Sequence, residues 1–211
     1  MISILICYFL IFSYSGSAQQ PWNEVKKSGE CKAYTRSTKD GKFKEYRSTA
    51  VIHAPLDAAV AVYCEVMKHP QWMKDIAGVN KFKTLSEKEW YIQYKVDMPW
   101  PMEDRDAVYH IRLLQQESDK SVKVFFDSEP DALPAQPGYI RISKSSGYWK
   151  FSNQSDGTIM AETIGVTDPA GVPAWIVNMF ISDGPLQTIL NFKKLAESDT
   201  YKNKKVSFLI H

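Results

Sequence analysis

The chain has 211 residues, 44% of them hydrophobic and 24% charged, with a formal net charge of +2. That length and apolar share suit one domain with a sizeable core rather than two, and a charge so near zero points to no nucleic-acid partner. Three cysteines without a CxxC pair and four histidines outside any recognisable motif supply no zinc ligand set, so neither a metal nor a cofactor is expected.

Residues 2–12 are an almost unbroken apolar run, and no charged side chain occurs in the first 18 residues. Gly16, Ser17 and Ala18 then provide the small residues at which a signal peptidase cuts. The run is too short to span a bilayer comfortably. Residues 1–18 are therefore expected to be a signal peptide, although the usual basic residue before the run is missing. This leaves residues 19–211 as a single domain with a short C-terminal tail, periplasmic or secreted. Such a compartment would permit a bond between Cys31 and Cys64, but Cys64 falls on the apolar stripe of a helix, where a buried free thiol is the simpler reading.

In chain order, residues 31–37 and 43–52 read as strands around a turn at Lys39, Asp40 and Gly41. Pro55 then opens a helix over residues 56–68, whose stripe of Leu56, Val60, Tyr63, Cys64 and Met67 packs on the sheet. Pro70 closes it, and Trp72 and Met73 begin a connection. Strict alternation over residues 90–98 puts Trp90, Ile92, Tyr94, Val96 and Met98 on one face of a strand. The loop Pro99, Trp100, Pro101, Met102, Glu103, Asp104 leads into a strand over residues 105–114, with Tyr109 and Ile111 on one of its faces. Strands over 121–127, 139–143, 148–152 and 158–166 follow, mostly joined by short polar turns, which implies a curved antiparallel sheet.

The last of these strands breaks at Asp168, Pro169, Ala170 and Gly171, and the pattern changes to the helical period. Val172, Trp175, Ile176, Met179, Phe180, Leu186, Ile189, Leu190 and Leu195 recur three or four apart, predicting one amphipathic helix about 35 Å long. Pro185 would clash with the Ile181 carbonyl, so a kink is expected there. The lysines among residues 202–205 read as a solvated tail.

A long apolar sheet face that also includes Val124, Phe126 and Trp149 can be covered by one helix only along a line. The space left over is either an apolar cavity for a small ligand or a core filled by the aromatics themselves, and the pattern alone supports both.

Three motifs decide between them: Trp100 and Pro101 followed by Asp104, Arg105 and Asp106; Gly147, Tyr148, Trp149, Lys150 and Phe151; and the run Asp168, Pro169, Ala170, Gly171, Val172, Pro173, Ala174, Trp175. In this order and spacing the chain resembles the START (steroidogenic acute regulatory related lipid transfer) superfamily, as a single-domain exported member. The resemblance implies an α+β helix-grip fold, a curved antiparallel sheet wrapped around a long C-terminal helix, with a lipid or other hydrophobic molecule held in the tunnel between them.

On that resemblance the tunnel lining is expected to comprise Ile92, Tyr94, Val96, Met98, Tyr109, Ile111, Val124, Phe126, Trp149, Thr163, Trp175, Ile176, Met179 and Phe180. Trp100, Met102 and Arg105, with Pro185 as a hinge, would form a gate able to touch a membrane transiently. Asp104 and Asp106 are read as structural. Sterol-carrying members of the family set a buried acid against an arginine at positions that hold Ile92 and Ile111 here. The polar head of a ligand must therefore be met elsewhere, and an acyl chain or isoprenoid suits the lining at least as well as cholesterol.

Two other functions compete with a lipid carrier. One is a protein-interaction scaffold with a closed cavity. The other is a hydrolase or cyclase using the pocket, for which no nucleophile and base are recognisable; Glu162 is the carboxylate set in an otherwise apolar strand pattern.

Overall fold

The computed structural model describes residues 20–210; the expected leader, residues 1–18, lies outside them. Among the described residues, ten strands form one curved and almost wholly antiparallel sheet. They are β1 (Asn23–Ser28), β2 (Cys31–Ser37), β3 (Lys44–Ile52), β4 (Ile76–Ser86), β5 (Glu89–Val96), β6 (Arg105–Gln115), β7 (Val122–Ser128), β8 (Ile140–Ile142), β9 (Lys144–Asn153) and β10 (Ile159–Asp168). Their order is β1-β2-β3-β10-β9-β7-β6-β5-β4, with the short β8 parallel to β6. The sheet grips α1 (Leu56–Cys64) and α3 (Asp183–Ala196), while α2 (Ala174–Phe180) joins β10 to α3. This is the expected helix-grip architecture.

Alternation explains the strands. In β10 Ile159, Ala161 and Thr163 are buried while Met160, Glu162 and Ile164 between them are only half-buried, so one face meets the core. Small residues then set how closely the layers approach. Gly147 of β9 pairs with Gly165 of β10, and a Cβ on Gly147 would lie 2.1 Å from the Ile164 carbonyl oxygen. The two edge strands, β1 and β4, were not anticipated. Both are polar and lysine-bearing, which is how exposed edges avoid pairing with another sheet.

The helices depart from expectation in three places. α1 ends at Cys64 and continues as a 3-10 helix over Val66–Gln71, leaving Met67 exposed instead of on the stripe. Its other side is covered by the C-terminal segment, which is no free tail: Tyr201 and Leu209 are buried, the Val206 amide donates to Asp57 at 2.9 Å, and Lys204 pairs with Glu65. The long C-terminal helix is two helices, parted at Ile181 and Ser182. Pro185 is not at a kink. It is the third residue of α3, where its missing amide has no intrahelical partner to lose, and the chain breaks at Ile181, whose carbonyl the ring would meet.

α3 supplies the inward row Leu186, Ile189, Phe192 and Ala196, all buried. Burying each large side chain contributes about 1.5–3 kcal/mol. Phe192 closes an aromatic cluster: it stacks on Phe151 with ring centroids 5.4 Å apart and stands edge-on to Trp72 at 5.0 Å, while Tyr63 meets Trp149 at 6.0 Å. Cys31 and Cys64 are both free thiols.

Candidate functional site

The aromatic cluster fills the interface between sheet and helix only at the C-terminal half of α3. Beside the N-terminal half, where Gly184, Pro185 and Thr188 face the sheet, an inner chamber of about 280 Å³ remains open. An outer groove of about 830 Å³ adjoins it, the two sharing Lys74, Val96 and Gly184 in their walls. The groove runs between residues 98–102 on one side and Val172, Ile176 and Val177 on the other, with Leu186 and Leu190 of α3 at its floor. A filled core and a cavity therefore coexist, at opposite ends of one helix.

Of the expected lining residues, Tyr94, Val96, Tyr109, Ile111, Phe126, Trp149 and Thr163 stand in the chamber wall, as does Pro185, expected instead as the hinge of the gate. Met98, Met102 and Ile176 line the groove, Met98 from just beyond the end of β5. Ile92 and Val124 do not reach either space; both are fully buried in the packed core. Trp175 points away from the groove and is 66% exposed. The side chains of Met179 and Phe180 lie outside the described residues.

The loop expected to form the gate is held from several sides. Asp104 accepts the Met98 amide at 3.0 Å, the Trp100-Pro101 bond is cis, and Trp100 is 92% exposed. Arg105 is only 4% exposed and spends its guanidinium on three backbone carbonyls: Glu103 in its own loop, and Pro169 at 3.2 Å and Ala170 at 3.1 Å in the turn before α2. It latches together the two segments that flank the groove. Asp106 takes both arms of Arg141, at 2.8 and 2.7 Å, and the Gln93 amide at 2.7 Å. Burial alone would raise the Asp106 carboxyl, yet the Arg141 and Gln93 hydrogen bonds hold it below the usual carboxylate range. Arg141 also donates to the carbonyls of Pro130, Leu133 and Pro134, so this buried pair ties down the proline-bearing loop before β8.

Charges collect at the mouth and hydroxyls in the chamber. At the mouth Lys26 pairs with Asp183 and Lys74 with Asp75. Inside, the wall carries Tyr46, Tyr63, Tyr94 and Tyr109, and burial raises the hydroxyl of each above the usual tyrosine value, so all four stay protonated. Tyr94 donates to His69 Nδ1 at 2.5 Å, and His69 Nε2 donates to the Tyr63 carbonyl at 2.6 Å. Burial pushes His69 down to about 4, against a smaller upward pull from that carbonyl bond, so the imidazole is neutral and its tautomer is fixed. Tyr109 donates to Ser145 at 2.9 Å, and Ser145 shares a 2.7 Å bond with Thr167.

Tyr46, Tyr63 and His69 were not read from the sequence as site residues. Tyr46 could have been found, since it precedes the inward-facing Ser48 and Ala50 on β3 at a spacing of two. His69 follows no periodicity, because it sits in the 3-10 turn. Glu162, the candidate acid, bonds to Arg47 at 2.5 Å and to Tyr148 at 3.3 Å, on the opposite face of β10 from Thr163. His110 bonds to Glu89 and stacks on Tyr91, likewise away from the chamber.

A curved antiparallel sheet closed by a C-terminal helix around an apolar, hydroxyl-studded cavity defines a helix-grip protein with an internal chamber. Residues 13–192 match the START domain, and the chain belongs to that family. An uncharacterised protein of Pseudomonas aeruginosa is 29% identical over 189 residues, covering 89% of this chain and 93% of its own. Among solved structures, a STAR-related lipid transfer protein fragment from Xanthomonas axonopodis superposes with a TM-score of 0.78 at 25% identity, over 84% of this chain and 99% of that one. Human StAR-related lipid transfer protein 5 superposes with a TM-score of 0.70 at 15% identity, over 87% and 88% of the two chains, a likeness of fold alone.

Proposed function

We propose that this protein binds a lipid or other hydrophobic small molecule in the chamber and groove between the sheet and the C-terminal helices, and hands it to or from a membrane. The observation that carries this reading is the pair of adjoining cavities, apolar along most of their walls, the outer one open between residues 98–102 and α2. START membership and the lipid transfer protein among its structural neighbours add support.

Trp100 and Trp175, both exposed, project from the two segments that border the groove. Tryptophan favours the headgroup region of a bilayer, so the mouth is suited to face a membrane while a ligand passes. The uncharged N-terminal run fits an exported protein, and cell fractionation with the leader intact and deleted tests that placement.

The direct test is native mass spectrometry of the protein purified from its own cells, followed by denaturing extraction. A stoichiometric lipid is the expected result. An empty protein that also ignores added lipids would move the fold to a scaffold role. For the membrane contact, Trp100→Ala combined with Trp175→Ala is expected to lower liposome sedimentation several-fold with the fold intact; unchanged sedimentation would remove the membrane from the reading.

A further inference from the structure

A further cavity, of about 450 Å³, lies where the turn between β2 and β3 stands beside the first residues of β9 and the last of β10. Its wall is unlike the chamber's: it holds two lysines, Lys42 and Lys144, two aspartates, Asp40 and Asp168, and four hydroxyls, with Phe43 and Val166 as its apolar residues. Much of this wall is spent on its own structure. Thr38 shares its proton between Asp40, at 2.5 Å, and the Phe43 carbonyl, at 2.6 Å, and the same Asp40 oxygen accepts the Lys42 amide at 3.2 Å. Ser128 accepts the Ser145 amide and donates to the Ser143 carbonyl, both at 3.1 Å, and Asp168 gives one oxygen to the Ala170 amide at 3.1 Å. These bonds hold the shape of the pocket without consuming its charges. Asp40 keeps one oxygen unbonded among the described residues, and the second Asp168 oxygen has Lys42 at 3.5 Å. Lys144 stands directly opposite Asp168 in the β9–β10 register, yet it makes no ion pair among the described residues.

The four charges cancel in sum but stay apart in place. A lone anion would meet Lys144 and bring a like charge beside the aspartates, and a lone cation would meet Asp40 and bring one beside the lysines. A small molecule with an oxyanion and an ammonium at the two ends of a short carbon chain meets both signs, and Phe43 and Val166 suit the methylenes between them. We propose that this pocket is a second binding site, for a small soluble zwitterion with its oxyanion at Lys144 and its ammonium at Asp40, and that its occupancy alters the chamber.

Two contacts lead from the pocket to the chamber and its cover. Ser145, 4% exposed, stands in the pocket wall while its hydroxyl bonds to Tyr109 at 2.9 Å and Thr167 at 2.7 Å, both residues of the chamber wall. Asn178 of α2 accepts the Lys44 amide at 3.0 Å and donates to the Lys42 carbonyl at 3.4 Å, so the turn that carries Asp40 also tethers α2. A molecule that fixes this turn therefore acts on two boundaries of the lipid cavity, and the coupling is reciprocal. The coupling rests on the chamber being the lipid site; the pocket itself does not.

The experiment titrates the protein purified from its own cells, by calorimetry, with β-alanine, O-phosphoethanolamine, propionate and propylamine. At least one zwitterion is expected to bind about tenfold more tightly than either singly charged compound, since each end contributes one charge-assisted hydrogen bond. Lys144→Gln and Asp40→Asn, the second of which keeps the oxygen that caps the turn, should each remove most of that advantage with circular dichroism unchanged. The bound zwitterion should also shift the affinity of a fluorescent fatty-acid probe several-fold. No binding, equal binding of propionate or propylamine, or an advantage untouched in both variants would overturn the site. Binding to phosphatidylethanolamine vesicles, sensitive to both substitutions, with none to the soluble zwitterions would overturn it in favour of a lipid headgroup. A probe affinity unmoved by the bound zwitterion would overturn the coupling. A probe that never binds would instead count against the lipid cavity, and the calorimetry would still decide the pocket.

Discussion

His69 makes the stability of the fold depend on pH in a defined window. Its imidazole is fully buried beside Tyr94 and Trp72, ring centroids 5.8 and 5.0 Å away, and burial lowers it from the ordinary 6.5 to about 4. Between those values the unfolded chain binds a proton that the folded chain refuses, so folding stability rises with pH across pH 4 to 6.5 and this contribution is flat above it. At about 1.4 kcal/mol per pKa unit, the penalty reaches roughly 3 kcal/mol below pH 4. Carboxylates titrate in the same range, so the contribution has to be isolated by substitution. His69→Gln removes the titration and keeps a donor for the Tyr63 carbonyl, at some constant cost in stability. Urea denaturation at pH 7.5 and 4.5 should then show the wild type losing about 2–3 kcal/mol more than the variant on acidification. Parallel losses would mean that His69 is not held neutral in the folded state, and the donor assignment at Tyr94 would fall with it.

Three further substitutions probe the chamber, the sheet behind it and the mouth. A Cβ on Gly165 would lie 2.7 Å from the Tyr46 hydroxyl and 3.0 Å from Phe126 Cζ, so Gly165→Ala should push both rings into the chamber and weaken lipid binding about tenfold, read by probe displacement with circular dichroism unchanged. Gly147→Ala meets backbone as well as Phe126, at the Ile164 carbonyl and Gly165 Cα, and should cost about 3 kcal/mol of stability in a urea melt with the β9–β10 pairing disturbed. Arg105→Ala removes three charge-assisted bonds at once and should speed amide exchange in both latched segments, near residues 102–103 and 170–171; acceleration on one side only would refute the latch.

What the sequence revealed and what it hid follow from where each residue is packed. β5 was legible because the apolar Trp90, Ile92 and Tyr94 alternate with Tyr91, Gln93 and Lys95, although Gln93 is itself buried against Asp106. β4 was invisible for the complementary reason. It lies at a sheet edge, its register shifts at three places along β5, and its polar residues satisfy no alternation. The same limit applied to the cavity. Ile92 and Tyr94 share a face two residues apart, yet one is core and the other is chamber wall. The difference is made by Phe192 and Trp149, which fill the space at one end of the helix, and a contact between α3 and β9 leaves no period in either segment.

The break between α2 and α3 divides the C-terminal helix into two parts that are held unequally. α3 is fixed along its length: Thr188 accepts the Lys74 amide at 3.0 Å, Asn191 donates to the Trp72 carbonyl at 3.2 Å, Phe192 is locked in the aromatic cluster, and Lys193 donates to the Val51 carbonyl at 2.6 Å. α2 has no such row among the described residues; Asn178, bonded to the Lys44 amide at 3.0 Å, is its main polar tether. α2 is therefore the less firmly tethered bank of the groove lined by Val172, Ile176 and Val177. Shifting α2 would strain the Arg105 bonds to Pro169 and Ala170, which sit at its root, so the same guanidinium that holds the loop of Trp100 also restrains the helix opposite. Both banks of the groove are thereby coupled through one buried side chain.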